Sequence, residues 1–280
     1  MGDQPLALEG GQSSRPFCIL PDVTGSSAKR VLLHVAPPIA RIEFNHPPLN
    51  IIDVPFMEQL ASALEEVESQ AGISVVVFSG SDKAFSSGVD VAAHTSDKVE
   101  EMLTKFHAIF RIMVASRKVL VAGVRGHCLG GGAELTLLCD LVVTAEYATW
   151  GFPEISLGCF PPVAATALAA LVGQKQAADL ILTGRKIDGH QAKSLGLANS
   201  AVPDQQVAGD VAGLVKQLAT LSPAALAATK KAMYAWDSIH FDKGLARAEK
   251  IYLEELMKTE DAREGIQAFV EKRSPRWIGK

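Results

Sequence analysis

The sequence contains few cysteines, and their positions argue against the common uses of paired thiols. Its 280 residues include four cysteines, and no two of them form a C-x-x-C pair. A disulfide framework or a cysteine zinc site usually shows such regular spacing. The seven histidines are scattered and no H-E-x-x-H motif occurs, so we expect no metal site. We interpret the cysteines as reduced thiols of a cytoplasmic protein: Cys18, Cys128, Cys139 and Cys159.

Long apolar runs and an excess of basic residues are also missing. No run reaches the roughly 18–20 apolar residues that a membrane-spanning helix needs, and the start, "MGDQPLALEGGQSSRPF", is not typical of a signal peptide. The formal net charge is −4, which argues against a broad basic face for nucleic acid. We therefore expect neither a membrane nor a nucleic acid as partner, and we interpret residues 1–30 as a poorly ordered lead-in.

Strand and helix patterns alternate along most of the chain. This alternation is typical of an α/β protein with a largely parallel sheet. Strand signals stop after about residue 205, and residues 207–271 are mostly helical in pattern. We therefore divide the chain into a core over 31–205 and a helical C-terminal region over 206–280. The predicted strands are 31–35, 39–44, 73–80, 119–124 and 141–144, and the predicted helices of the core are 54–69, 97–115 and about 131–138.

The stretch "GHCLGGGAEL" (126–135) places three glycines before a glutamate. A phosphate-binding loop is one interpretation, but the stretch lacks both the G-K-[ST] ending and the G-x-G-x-x-G spacing. An oxyanion hole is the other. The unpaired N–H groups at a helix start can bind a developing negative charge if no side chain shields them. Glu134 lies in the same turn, where it can also be an ordinary helix-start residue that favours the helix dipole.

Two further segments strengthen the second interpretation. "KAFSSGVD" (83–90) follows the predicted strand 73–80 and could supply a second N–H donor at the same edge of the sheet. In "WGFPEISLGCFPP" (150–162), Glu154 stands among apolar residues, which would raise the pKa of its carboxyl and suit acid–base chemistry. Taken alone, residues 83–90 are better explained as an ordinary βα turn, and a solvated loop glutamate is the alternative interpretation of Glu154.

From about residue 31 to 272 the chain resembles the crotonase (enoyl-CoA hydratase/isomerase) superfamily. The motifs that carry the resemblance are "AFSSGVD", "GHCLGGGAEL", "CDLVVTAEYATWGFPEISLG", "LTGRKIDGHQAKSLGLAN" and "AFVEKR". The resemblance implies a spiral of ββα units with a helical C-terminal trimerisation region, assembled as a homotrimer or hexamer. It also implies an acyl-CoA thioester as substrate and no separate cofactor, because coenzyme A is part of the substrate.

The resemblance also implies roles for individual residues. The backbone N–H groups of Val89 and Gly131 would form the oxyanion hole, and Glu134 and Glu154 would be the paired acid–base carboxyls of a hydratase. Many superfamily members lack one or both glutamates, so their joint presence favours hydration. Lys272, from its own or a neighbouring subunit, would face the phosphates of coenzyme A. Further contacts with the CoA ester would come from Pro48, Leu49, Ser87, Gly88, Val89, Asp90, Gly130 and Gly131.

The chain also departs from common enoyl-CoA hydratases. Pro162 stands where many relatives have a glycine whose N–H helps to hold the catalytic water, and proline has no N–H. Phe152 replaces a common glutamine, which would make the pocket more apolar. The stretches 45–53 and 85–111 are similar to the cyclohexa-1,5-diene-1-carbonyl-CoA hydratases, so a flat cyclic acyl group is a candidate substrate.

Two other functions stay open from the sequence. A double-bond isomerase of the same superfamily would use a glutamate and the same oxyanion hole. A non-catalytic relative that binds RNA would need a basic surface stripe, for which "TKKAMYAWD" (229–237) offers only a pair of lysines, interpreted as a solvated helix face.

Overall fold

The computed structural model describes residues 29–234 and 237–279, so residues 1–28 of the predicted lead-in lie outside the described residues. The α/β class is confirmed. The strands are β1 Val31–Ala36, β2 Ile39–Phe44, β3 Val75–Ser79, β4 Ala84–Ser86, β5 Val119–Val124, β6 His127–Leu129, β7 Leu141–Ala145, β8 Thr149–Gly151 and β9 Ser200–Val202. The helices are α1 Val54–Ser69, α2 Val99–Ala115, α3 Gly131–Leu137, α4 Pro162–Val172, α5 Gln174–Thr183, α6 Gly189–Leu195, α7 Val207–Ala219, α8 Pro223–Tyr234, α9 Asp237–Glu254 and α10 Glu260–Val270.

Two sheets organise the core. The larger sheet has six strands in the order β1-β2-β3-β5-β7-β9, and the smaller one has the order β4-β6-β8. The first pair, β1 and β2, is antiparallel, and the other neighbours are parallel. The chain passes from a strand of the large sheet to one of the small sheet and then to a helix, as β3-β4-α2, β5-β6-α3 and β7-β8-α4. This is the repeated ββα unit that the resemblance implied.

The long helices of the core bury the apolar faces that their spacing predicts. In α1, the Asp53 carboxylate accepts the N–H of Phe56 at 3.0 Å and so caps the helix. Helix α2 buries its own face against α1 and α9, and two of its aromatic side chains, Phe106 and Phe110, meet edge to face with ring centroids 4.8 Å apart. One end of this apolar face borders the cavity described below.

The C-terminal region contains the helices that the sequence predicts, α7 to α10. In α8, Lys230 is buried and its ammonium lies 2.8 Å from the Asp140 carboxylate. The expectation that both lysines of this helix lie on a solvated face was therefore wrong for Lys230, which forms a buried ion pair. In the described part of the chain no single helix is long and apolar enough to cross a membrane. One pair of consecutive helices, Asp204–Ala219 and Pro223–Tyr234, is long and apolar enough when taken together, but it is bent by 106°.

Candidate active site

The glycine run lies where the small sheet meets α3, and its first residue touches a carboxylate. Gly130 follows β6 with a φ of 50°, a conformation that favours glycine. A Cβ on Gly130 would come within 2.5 Å of Glu154 Oε1. Backbone without a side chain is therefore required here for Glu154 to approach the start of α3.

The next two glycines allow α3 to approach its neighbours closely. A Cβ on Gly131 would lie 2.8 Å from Phe106 Cζ and 2.8 Å from Val89 Cγ2, and one on Gly132 would lie 2.6 Å from the Ser86 carbonyl oxygen. The run thus permits three separate contacts, with a carboxylate, an aromatic ring and a strand. These contacts bring the segment around Val89 against the start of α3.

Two backbone amides on these adjoining segments have no acceptor in the described residues. Ile52 forms a parallel bridge beside Val89, in which the Ile52 N–H donates to the Gly88 carbonyl at 2.9 Å and the Asp90 N–H donates to the Ile52 carbonyl at 3.1 Å. In a parallel bridge of this kind the N–H of the middle residue, here Val89, points away from its neighbour strand. Gly131 is the first residue of α3, so its N–H has no intrahelical acceptor.

Glu134 is the buried carboxyl of the first turn of α3. Its exposed fraction is 2%, and its Oε1 accepts a hydrogen bond of 2.9 Å from the N–H of Ala164 near the start of α4. Burial raises its pKa to about 7, while hydrogen bonds from the N–H groups of Ala164 and Val163 act in the opposite direction. The backbone of α4 therefore holds this carboxyl and favours its ionised form.

Glu154 is the second carboxyl of the cavity and lacks such support. Its Oε2 is shielded from solvent and has no hydrogen-bond partner among the described residues. Burial, and next the charge of Glu134, raise the pKa of Glu154 to about 8. Because two close carboxyls do not readily both ionise, the pair holds one proton near neutral pH. The backbone donors to Glu134 favour the ionised form of this carboxyl, so the shared proton is favoured on Glu154.

One cavity brings most of the predicted residues together. In the described part of the chain it is lined by Ser87, Gly88, Val89, Gly130, Gly131, Glu134 and Glu154, together with Pro162. The hydroxyl of Ser87 is buried there without a hydrogen-bond partner among the described residues. The cavity thus combines unpaired amides with two carboxyls that share a proton, which is suited to proton transfer next to a carbonyl group whose oxygen gains negative charge.

The other predicted contacts lie outside the lining of this cavity in the described residues. Leu49, after Pro48, accepts the N–H of Ser87 on its carbonyl at 3.0 Å, so this loop supports the wall. The Asp90 carboxylate caps the 3₁₀ helix Val91–His94 by accepting the Ala92 N–H at 3.0 Å. Lys272 is exposed just after α10. The CoA contacts of Pro48, Leu49, Asp90 and Lys272 stay predictions.

Sequence reasoning did not identify several lining residues. His94 lines the cavity, and its Nδ1 lies 3.0 Å from the Asp90 carbonyl oxygen. Apolar side chains come from the 3₁₀ helix Val91–His94, from α2 and from the segment before α4, namely Val91, Met102, Leu103, Phe106, Leu157, Cys159 and Phe160. Phe152, expected to make the pocket more apolar, is instead buried in the protein core. No local motif signals these residues, because their contact depends on how α2 packs.

The raised pKa of Glu154 has a consequence for stability. Between about pH 4.5 and 8 the folded carboxyl stays protonated while the unfolded one ionises. Unfolding then releases a proton, so the free energy of unfolding falls as pH rises through this window. Glu154→Gln removes that titration. We expect the melting temperature of the variant to rise relative to that of the unsubstituted protein as pH increases. The difference between their free energies of unfolding should change by on the order of a few kcal/mol between pH 5 and pH 9.

The measurement is scanning calorimetry at pH 5, 7 and 9, with Glu100→Gln on the exposed surface of α2 as the control. The control should keep a constant difference from the parent at every pH. A constant difference for Glu154→Gln as well would mean that this carboxyl is not held protonated in the folded protein.

Comparisons with known proteins place these observations in a family. The family model for enoyl-CoA hydratase/isomerase matches residues 36–280. A cyclohexa-1,5-dienecarbonyl-CoA hydratase of Thauera aromatica is 34% identical over 252 residues, covering 90% of this chain and 97% of the relative. A 2,3-dehydroadipyl-CoA hydratase of Escherichia coli (strain K12) is also 34% identical, over 233 residues, covering 82% of this chain and 91% of the relative.

Solved structures agree with the fold. The crystal structure of an enoyl-CoA hydratase from Mycobacterium avium subsp. paratuberculosis K-10 superposes with a TM-score of 0.81 at 26% identity, over 89% of this chain and 98% of that one. A carnitinyl-CoA hydratase from Mycobacterium avium gives 0.80 at 28% identity, over 90% and 99%. The chain belongs to the enoyl-CoA hydratase/isomerase family of the crotonase superfamily, as an enzyme of the hydro-lyase type that acts on acyl-CoA thioesters.

Proposed function

We propose that the cavity adds water to the conjugated double bond of an acyl-CoA thioester, with Val89 and Gly131 as oxyanion donors and Glu134 and Glu154 as the acid–base pair. The observation that carries the proposal is that two buried carboxyls with raised pKa values line the same cavity as Val89 and Gly131, whose amides have no acceptor in the described residues. The reaction needs no cofactor beyond the coenzyme A of the substrate.

The amides act on the thioester oxygen. Attack at the β-carbon moves negative charge onto this oxygen and forms an enolate. The N–H groups of Val89 and Gly131 can each donate to that oxygen, and loss of one such donor typically costs about 2.7–4 kcal/mol of transition-state stabilisation. Ser87, Gly88 and Gly130 line the same wall, where the thioester would pass.

The two carboxyls divide the proton transfers. Glu134, which is stabilised as the carboxylate by α4, takes a proton from water as the water oxygen bonds to the β-carbon. Glu154, which is protonated, delivers a proton to the α-carbon as the enolate collapses. One proton enters the pair and one leaves it, so the product gains one molecule of water and the pair again holds one proton. That proton is now on Glu134, and its transfer back to Glu154 restores the starting state for the next turnover. An isomerase would use the same enolate without the bond to water.

We further propose a compact, cyclic dienoyl group as the acyl substrate. Its support is the similarity to the Thauera aromatica hydratase named for such a ring and the apolar lining supplied by Met102, Phe106 and Phe160. No lysine or arginine lines the cavity in the described residues. An acyl group ending in a carboxylate, as in the name of the Escherichia coli relative, would therefore lack a cationic partner.

We also propose a cytoplasmic homotrimer or hexamer. Apolar side chains near the C-terminal end stay about half exposed in the single chain, among them Phe269, Val270, Trp277 and Ile278. Such surface is suited to burial against another copy. Light scattering coupled to size-exclusion chromatography would give the mass of the assembly directly.

The test of the proposed reaction is mass spectrometry of products formed from linear and cyclic unsaturated CoA esters in ¹⁸O-labelled water. We expect the product mass to increase by one labelled water, with a higher kcat/KM for a cyclic dienoyl-CoA than for crotonyl-CoA. Products of unchanged mass from every active ester would establish isomerisation instead. Salt-sensitive RNA binding without any turnover would indicate the non-catalytic alternative.

A further inference from the structure

The start of α4 has no N–H group free to hold a water molecule in the cavity. Pro161 and Pro162 precede and begin the helix, and both lack an N–H. The next donors, Val163 and Ala164, hydrogen bond to Glu134. A water that attacks carbon donates hydrogen bonds to the carboxyls, and a separate donor to its oxygen fixes its orientation. In this chain that donor must come from elsewhere.

A buried phenol stands behind the same wall of the cavity. Tyr252 of α9 is 1% exposed, and its hydroxyl has no hydrogen-bond partner among the described residues. Its ring packs edge to face on Phe160, with centroids 5.1 Å apart, and its hydroxyl interacts with the Cys159 thiol. Phe160 and Cys159 both line the cavity. Leaving a buried hydroxyl unpaired typically costs about 1–3 kcal/mol, so such a group calls for an explanation.

The Glu154 carboxyl, which lines the same cavity, also lacks a hydrogen-bond partner on one oxygen in the described part of the chain. Glu154 Oε2 is also buried without a partner among the described residues, and the Glu154 carbonyl accepts the N–H of Cys159 at 3.1 Å. The Tyr252 hydroxyl, whose neighbour Cys159 is only a weak hydrogen-bond acceptor, and the Glu154 carboxyl oxygen, which has no partner among the described residues, thus both lie next to the segment Glu154–Cys159. A water needs two to four polar partners, and Glu134, Glu154 and Tyr252 can supply them.

We propose that the Tyr252 hydroxyl donates the hydrogen bond that orients the substrate water between Glu134 and Glu154, in place of the amide that Pro162 lacks. This inference rests on the proposed hydration. Burial raises the pKa of Tyr252, so the phenol stays protonated and acts as a donor throughout the working pH range. It transfers no proton: the water proton goes to Glu134, the water oxygen bonds to the β-carbon, and the phenol keeps its O–H bond.

The test is a double-mutant cycle of Tyr252→Phe and Pro162→Gly. Tyr252→Phe removes the hydroxyl and keeps the ring on Phe160. We expect kcat to fall about tenfold, the loss of roughly one hydrogen bond, with KM for the CoA ester nearly unchanged. Pro162→Gly restores an N–H at the start of α4, so in that background the same substitution should cost twofold or less. Pro162→Ala restores the same N–H and serves if the glycine destabilises α4.

The controls separate this role from a structural one. Tyr147→Phe, which removes an exposed phenol, should leave kcat unchanged. Ser87→Ala removes the other unpartnered hydroxyl of the cavity, and its effect should not depend on Pro162. The melting temperature of Tyr252→Phe should stay close to that of the parent, because the substitution keeps the ring and its packing on Phe160.

Equal losses from Tyr252→Phe in both backgrounds, a parental kcat, or a fall in kcat accompanied by a markedly lowered melting temperature would each overturn the inference. If Tyr252→Phe kept the parental kcat while Glu134→Gln was inactive, Tyr252 would have no role in the reaction and the proposed hydration would still stand. Absence of water addition by the unsubstituted protein would instead reject the proposed function.

Discussion

Glu134→Gln and Glu154→Gln should each lower kcat by about 10²–10⁴-fold. The amide has nearly the same shape as the carboxyl but neither takes nor delivers a proton. Glu134 lies against the start of α4 and Glu154 lies against Gly130, so neither substitution needs the backbone to move. Affinity for the CoA ester should therefore change little, because the loss falls on the transition state.

The pH profile gives a second readout of the same pair. The active form carries one proton on two carboxyls, whose pKa values are raised to about 7 and about 8. Loss of the shared proton at high pH and protonation of both carboxyls at low pH should each reduce kcat/KM, giving a bell-shaped profile with its maximum between these values. Either Gln variant should lose that shape.

The measurement is steady-state kinetics on the best ester of the panel, with calorimetric titration of a non-reactive CoA thioether for binding. Glu100→Gln, on the exposed face of α2, is the matched control and should retain the parental kcat. Near-parental turnover by either active-site variant would show that the carboxyls do not act as a pair.

The sequence predicted five of the six strands of the large sheet and the glycine-rich turn because their signals are local, and it missed the three-residue strand β9. The run of β3 is continuously apolar, and α1 and α2 are long enough to show helical spacing. The small sheet was missed because β4, β6 and β8 have three residues each, too few to show a period. Yet this sheet brings Gly88, Gly130 and Glu154 together, so the motif resemblance identified the site without its geometry.

The walls of the cavity depend on packing between distant segments. Phe106 reaches Gly131 only because α2 lies across the start of α3, and Tyr252 reaches Phe160 only because α9 packs on α4. Neither residue belongs to a glycine-rich or acidic motif. The prediction for Phe152 was wrong in the opposite sense. Its position close to Glu154 in the sequence suggested that it lines the pocket, whereas its side chain is buried in the core.

Gly130→Ala should also lower kcat by at least 10²-fold. The methyl group would stand 2.5 Å from Glu154 Oε1, and the φ of 50° disfavours alanine. Relief of the contact requires either Glu154 to rotate away or the start of α3 to move. Rotation of Glu154 moves the proton donor away from the α-carbon of the substrate. Movement of α3 displaces the Gly131 amide, and loss of one donor from an oxyanion hole typically lowers kcat about 10²–10³-fold.

A matched control distinguishes these effects from backbone strain. Gly173 also has a positive φ, 80°, but a Cβ there meets nothing within 4 Å. Gly173→Ala should therefore lower stability by about 1–3 kcal/mol and leave kcat unchanged. Comparison of kcat, KM and melting temperature for the two variants isolates the contact with Glu154. If both variants lost activity in proportion to stability, Gly130 would serve only the turn, and the close approach of Glu154 to the start of α3 would have no catalytic role.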